Sequence, residues 1–125
     1  MSKRLDNINI LVVDDSKDNR ILVNLFLRHE GAKVDQAASG EEAIEKMSLS
    51  DFAIVLMDIQ MPGMDGYETL KALQASGFKK PVIALTAHAM KEEKLKTAAV
   101  GFGDHITKPV DKELLVNTIL KHIRQ

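Results

Sequence analysis

The sequence predicts an α/β domain: a doubly wound (βα)5 unit with a five-stranded parallel sheet and helices on both faces. Two observations predict it. Short apolar, β-branched runs alternate with helix-period segments five times along the 125 residues. Four of those runs also end in polar groups: Asp14-Asp15, Asp58, Thr86 and Lys108-Pro109. Parallel strands gather such groups at one edge, the carboxyl edge, where open α/β sheets hold their ligands.

The first run, residues 8–13, ends at Asp14-Asp15, and Ser16 can cap the helix that follows. Its apolar positions include Ile21, Leu22, Leu25 and Phe26, and Gly31 should stop it. Residues 33–37 predict a second strand, weakly apolar and therefore at a sheet edge. Ser39-Gly40-Glu41-Glu42 opens a second helix with Ala43, Ile44 and Met47 inward. Residues 53–57 are continuously apolar and read as a strand buried on both faces. Pro62, Gly63 and Gly66 mark a loop before a helix over residues 67–75. Residues 82–85 predict the fourth strand. The fourth helix, residues 90–100, carries Lys91-Glu92-Glu93-Lys94 and few large anchors beyond Leu95, so it is the segment expected to move. Residues 104–107 give a short fifth strand, and Asp111 caps a last helix with Leu115, Ile119, Leu120 and Ile123 inward.

Composition narrows the function. The chain is one domain long and is 45% hydrophobic and 28% charged, a globular balance. A formal net charge of −1 gives no whole-chain attraction for nucleic acid or anionic lipid. No apolar run nears the ~20 residues that span a bilayer, and the first residues lack the apolar core of a signal peptide. Cysteine is absent, which excludes disulfides and thiolate metal sites. The expectation is a single cytoplasmic domain over residues 1–125, with no output domain, no membrane contact and no direct nucleic-acid contact.

The edge residues carry the chemistry. A carboxylate can attack phosphorus and become an acyl phosphate. Asp14, Asp15 and Asp58 held close together repel one another unless a cation intervenes. Mg²⁺ suits that role: it takes oxygen ligands, keeps several waters and needs only one or two carboxylates besides phosphate oxygen. Asp15 and Asp58 are the expected direct ligands, Asp14 acts through water, and the backbone carbonyl of Gln60 can add an oxygen. Lys108 can pair with Asp58 at rest and with a phosphoryl group afterwards, and Thr86 can donate to a phosphoryl oxygen. No general base is evident, which fits transfer onto Asp58 itself rather than fast hydrolysis of an external substrate.

From Ile8 to Ile123 the chain resembles the receiver domains of two-component response regulators, including the single-domain chemotaxis-regulator type. The motifs are Val12-Val13-Asp14-Asp15-Ser16, Leu56-Met57-Asp58-Ile59-Gln60-Met61-Pro62-Gly63-Met64-Asp65-Gly66, Ala84-Leu85-Thr86-Ala87 and Thr107-Lys108-Pro109. The resemblance implies that Asp58 is the phospho-acceptor, Asp14 and Asp15 the metal pair, Thr86 the switch hydroxyl and Lys108 the site lysine. It implies strand order 2-1-3-4-5, a cis Lys108-Pro109 peptide and Mg²⁺ as cofactor. It also implies a histidine kinase or histidine phosphotransfer domain as donor. The downstream protein partner would bind the face of the fourth helix, fifth strand and fifth helix.

Asp15-Ser16-Lys17-Asp18-Asn19-Arg20 and Ala87-His88-Ala89-Met90-Lys91 look further like receivers attached to hybrid histidine kinases, which implies a phosphorelay role. One position departs from the pattern: His105 stands where such receivers commonly carry Tyr or Phe. His105 is either a switch side chain that rotates with Thr86 or a strand-end histidine with no switching role. Gln60 and His88 occupy the places that flank the path of hydrolytic water in the family, so they are expected to tune the lifetime of the phosphoryl group.

The same residues bear on other functions. The chain is either a free-standing regulator, which Met1 favours, or a receiver from a larger hybrid kinase. A Mg²⁺-dependent phosphatase with an aspartyl-phosphate intermediate needs Asp-x-Asp at the first strand and a cap, and neither is present. A flavodoxin-like cofactor binder needs a Ser/Thr/Gly-rich phosphate loop, whereas Asp14-Asp15-Ser16-Lys17-Asp18 repels phosphate without a metal.

Overall fold

The computed structural model describes residues 3–87 and 90–123. Elements alternate as β1 (Asn9–Val13), α1 (Lys17–His29), β2 (Lys33–Ala37), α2 (Gly40–Leu49), β3 (Ile54–Asp58), α3 (Gly66–Ala75), β4 (Val82–Thr86), α4 (Lys91–Val100), β5 (Asp104–Thr107) and α5 (Lys112–Ile123). The strands form one sheet in the order β2-β1-β3-β4-β5, parallel throughout. The chain reverses direction of travel across the sheet between β1 and β3, which is the crevice-forming position of doubly wound folds. Among the described residues no helix is long and apolar enough to cross a membrane.

The sheet separates two apolar clusters, because alternate strand residues point to opposite faces. Ile10, Val12, Ile54, Leu56, Ile83 and Leu85 pack against Val23 and Leu27 of α1 and Leu115, Val116 and Ile119 of α5. Leu11, Val13, Val55, Met57, Val82 and Ala84 pack against Ala43 of α2, Leu70 and Leu73 of α3, and Phe102. β3 and β4 are buried along their whole length, as residues sandwiched between helices must be.

The strand ends differ from expectation in a useful way. Asp58 and Thr86 are the last residues of β3 and β4 rather than the first residues beyond them. Their main chains stay in the ladder, with Asp58 opposite Leu85 and Thr86 opposite Thr107. Lys108 follows β5 and precedes a cis peptide to Pro109. Caps fall where the sequence places them: Ser16 accepts from the Asn19 N–H, Ser39 from Glu42, and Asp111 from Leu114.

α1 is turned relative to the expected face. Ile21, Leu22 and Leu25 are exposed, at 44%, 39% and 61%, while Val23 and Leu27 are buried and Phe26 is partly so. Apolar residues at 21, 22, 23, 25, 26 and 27 are too many for one stripe. Val23 and Leu27 stand one turn apart and fill the layer between the sheet and α5, which leaves the larger set outside. α4 is also turned: Leu95 is 62% exposed and the buried residue is Thr97, with Val100 partly buried.

Candidate functional site

Asp14, Asp15 and Asp58 each offer a carboxylate oxygen within 4.8 Å of the others'. Asp14 and Asp58 are buried and Asp15 is exposed. β1 and β3 are neighbours, so their ends bring these acids together across the point where the strand order reverses.

Each carboxylate has a different set of partners. Asp14 Oδ1 accepts the Ser16 N–H at 2.9 Å and its Oδ2 accepts Lys108 Nζ at 2.9 Å. With both oxygens engaged, Asp14 fits contact with a cation through water. Asp58 Oδ1 accepts the Gln60 N–H at 3.1 Å, and its Oδ2 lies 3.3 Å from Lys108 Nζ. Lys108 therefore pairs with Asp14 as well as Asp58, a broader attachment than the single pair expected from sequence. Its own main chain is fixed, because its N–H donates to the Thr86 carbonyl at 2.7 Å.

The electrostatics follow from burial. Loss of water pushes Asp58 up to about 6; the Gln60 N–H opposes this, the Asp14 charge adds to it and Lys108 opposes it. Burial alone lowers the Lys108 ammonium, but the hydrogen bond and charge of Asp14, and then Asp58, outweigh it and leave it above its ordinary value. Asp58 is thus a carboxylate that gains from any further positive charge nearby. The donor set is all hard oxygen, three carboxylates of which one faces solvent, and this fits a small divalent cation such as Mg²⁺.

The other expected residues fall around this centre. Thr86 is fully buried at the end of β4. Gln60 is exposed at the mouth of the site, two residues beyond Asp58. His88 lies outside the described residues. His105 is half-buried in β5 and lines a groove of about 300 Å³ with Lys94, Thr97, Ala98 and Phe102. Its side chain is thus half-buried rather than exposed.

Sequence reasoning missed two contributors. Arg20, on α1, donates to the Asp14 carbonyl at 2.6 Å. A basic residue one turn into the helix after an acidic strand end is the signal that could have found it. Gly66 lies directly behind Asp58: a Cβ there would come within 2.6 Å of the Asp58 carbonyl oxygen. The Met61-to-Gly66 loop marked a turn, but only the folded chain shows what the glycine faces.

Known proteins resemble this chain in sequence and fold. Sensor histidine kinase GacS of Pseudomonas protegens is 38% identical over 117 residues, covering 90% of this chain and 13% of that protein. The chain thus spans only a small part of the length of such kinases. An uncharacterized 14.6 kDa protein of Leptolyngbya boryana is 36% identical, covering 94% of this chain and 92% of its own length. Among solved structures, chemotaxis protein CheY4 of Vibrio cholerae superposes with a TM-score of 0.86 at 33% identity, over 93% of this chain and 98% of its own. The family model for the response regulator receiver domain matches residues 10–120. With that match running from β1 into α5, across every strand end described above, the chain belongs to the response regulator receiver domains.

Proposed function

We propose that Asp58 accepts a phosphoryl group from a phosphohistidine donor, with Mg²⁺ bound by Asp15, Asp58 and the Gln60 carbonyl and by Asp14 through water. The observation that carries this reading is the convergence of three carboxylates with Lys108 Nζ, 2.9 Å from Asp14 and 3.3 Å from Asp58. An Asp58 carboxylate oxygen forms the bond to phosphorus, the P–N bond of the donor breaks, and the leaving imidazole nitrogen keeps the electron pair. When bound, Mg²⁺ supplies the positive charge that offsets the crowded acids and the incoming phosphoryl oxygens. Lys108 would add a second positive charge beside Asp58, and the Thr86 hydroxyl would donate to a phosphoryl oxygen. The chain serves as a switch and catalyses only its own phosphorylation and slow loss of the group. Gln60 and His88 set the rate of that loss.

Two surfaces support protein partners. Exposed Ile21, Leu22 and Leu25 lie on α1, which begins at the acidic edge, and offer an apolar seat for a histidine kinase or histidine phosphotransfer domain. Exposed Leu95 and Leu114 lie on α4 and α5, flanking β5 and His105, and support a downstream protein partner on that face.

The test is intact-protein mass after incubation with a small phosphodonor, with and without Mg²⁺, for wild type and Asp58→Ala. The expected result is a Mg²⁺-dependent gain of one phosphoryl group that Asp58→Ala abolishes. A gain that persists in Asp58→Ala places the acceptor elsewhere.

A further inference from the structure

Arg20 is tied into the acidic edge without offering it a ligand. Its Nη1 donates to the Asp14 carbonyl at 2.6 Å, and its Nε donates to Gln36 Oε1 at 3.3 Å. Gln36 belongs to β2, paired with Val12 of β1. The Asp14 N–H in turn donates to the Ala37 carbonyl at 3.1 Å. The peptide that precedes Asp14 is therefore paired to β2, and the carbonyl of the peptide joining Asp14 to Asp15 is held by Arg20 of α1, which is itself anchored to Gln36 of β2.

The orientation of that peptide matters most for Asp15. Asp14 has its carboxylate fixed by Ser16 and Lys108. Asp15 is exposed, so the direction of its carboxylate depends on the peptide plane that precedes it and on two side-chain torsions. A guanidinium is the group that can do this, because its rigid fork reaches two acceptors at once and stays charged at every working pH.

We propose that Arg20 is a positioning residue for the divalent cation: by tying the carbonyl of the Asp14-Asp15 peptide to the Gln36 side chain of β2, it aims the Asp15 carboxylate into the acidic centre. This rests on the reading of Asp14, Asp15 and Asp58 as the cation site. Residues that orient metal ligands commonly affect metal affinity by about tenfold or more when removed.

Simple charge arithmetic gives the opposite sign. A cationic side chain next to a cation site repels the metal, so deleting it should tighten binding if charge were its only effect. The experiment is calorimetric titration of Mg²⁺ into the full chain, without phosphodonor, for wild type, Arg20→Ala, Arg20→Lys and Gln36→Ala. Circular dichroism and thermal melts accompany each variant. The expected result is roughly tenfold weaker Mg²⁺ binding in Arg20→Ala, with partial recovery in Arg20→Lys and a smaller loss in Gln36→Ala, all with native spectra.

Unchanged or tighter Mg²⁺ binding in folded Arg20→Ala overturns the proposal and leaves the cation site standing. If Arg20→Ala does not fold, wild-type affinity in both Arg20→Lys and Gln36→Ala overturns it equally. Absence of Mg²⁺ binding by wild type removes the cation site and this proposal with it.

Discussion

Lys108 Nζ is closer to Asp14 than to Asp58, at 2.9 Å against 3.3 Å. The lysine thus shares its charge between an acid of the β1 end and the acid of the β3 end. Asp58 receives only part of that charge, which is one reason its burial is incompletely offset and its pKa stands at about 6.

This makes Asp58 a cost to the metal-free fold at neutral pH. Its pKa rises from 3.8 to about 6 on folding, so the native state binds the proton more tightly than the unfolded chain. Stability from this group is present below about 3.8 and is lost as pH rises through about 6. The loss is of order 3 kcal/mol once Asp58 is ionised. Asp58→Asn should therefore stabilise the metal-free protein at pH 7 and raise its melting temperature by several degrees. The gain should shrink toward pH 4. Denaturant titrations in EDTA at the two pH values check this; equal effects at both would sink it.

Glu30 shows the opposite sign. Hydrogen bonds from the Arg4 guanidinium and main chain hold its carboxyl down to about 2, with Lys112 contributing less. Arg4 also reaches Glu113 at 2.9 Å, so it links the end of α1 to the start of α5. A depressed acid stabilises above its unfolded pKa and loses that contribution as pH falls. Glu30→Gln should remove stability at pH 7 and flatten the acid dependence between about 4.5 and 2. Added salt should reduce the pH 7 effect, because Arg4 is partly exposed. Urea midpoints across that range check the slope.

Gly66→Ala should act on the site from behind. The new Cβ meets the Asp58 carbonyl and Ile59 Cα, both at 2.6 Å, and backbone cannot swing away as a side chain can. A loss of about 1–3 kcal/mol is expected. Phosphoryl uptake should slow as well, since β3 carries the proposed acceptor, Asp58. Mass-monitored uptake below the melting transition separates the two effects. Gly63, with nothing near its missing Cβ but a φ of 74°, should cost only backbone strain on substitution and spare the site.

Tyr67→Phe should loosen α4. The Tyr67 hydroxyl donates to Glu93 Oε1 at 2.8 Å, across from α3 to α4. Its ring also meets Phe102 edge-on at 5.9 Å and carries Lys96 Nζ at 4.5 Å, and Phe preserves both contacts. The expected cost is about 1 kcal/mol. Hydrogen exchange should quicken in α4 and not in β1 or β3. Uniform acceleration would instead mean a global loss of stability.

The strands were legible because their signal is local. Residues 53–57 and 82–85 are apolar throughout, and the polar residue that follows each run, Asp58 or Thr86, stands at the carboxyl edge. Asp14, Asp15, Asp58 and Lys108 could be grouped from sequence because parallel topology alone brings strand ends together. The faces of α1 and α4 were not legible. Where a helix has apolar residues around more than half its girth, as α1 does, partner elements decide which ones enter the core, and Val23 and Leu27 won over Leu22 and Leu25. The Arg20–Gln36 and Tyr67–Glu93 bonds were missed for a related reason, since they join residues sixteen and twenty-six positions apart.

The sheet also acts as a bulkhead. Its two faces serve separate apolar compartments, with α1 and α5 on one side and α2, α3 and the α4 junction on the other. Side chains of adjacent strand residues belong to different compartments, so repacking on one side need not cross to the other. Val55, Met57 and Ala84 therefore share their layer with Tyr67 and Phe102 and not with α1. The two compartments of one small domain thus meet the same edge, where Asp58 ends the strand that divides them.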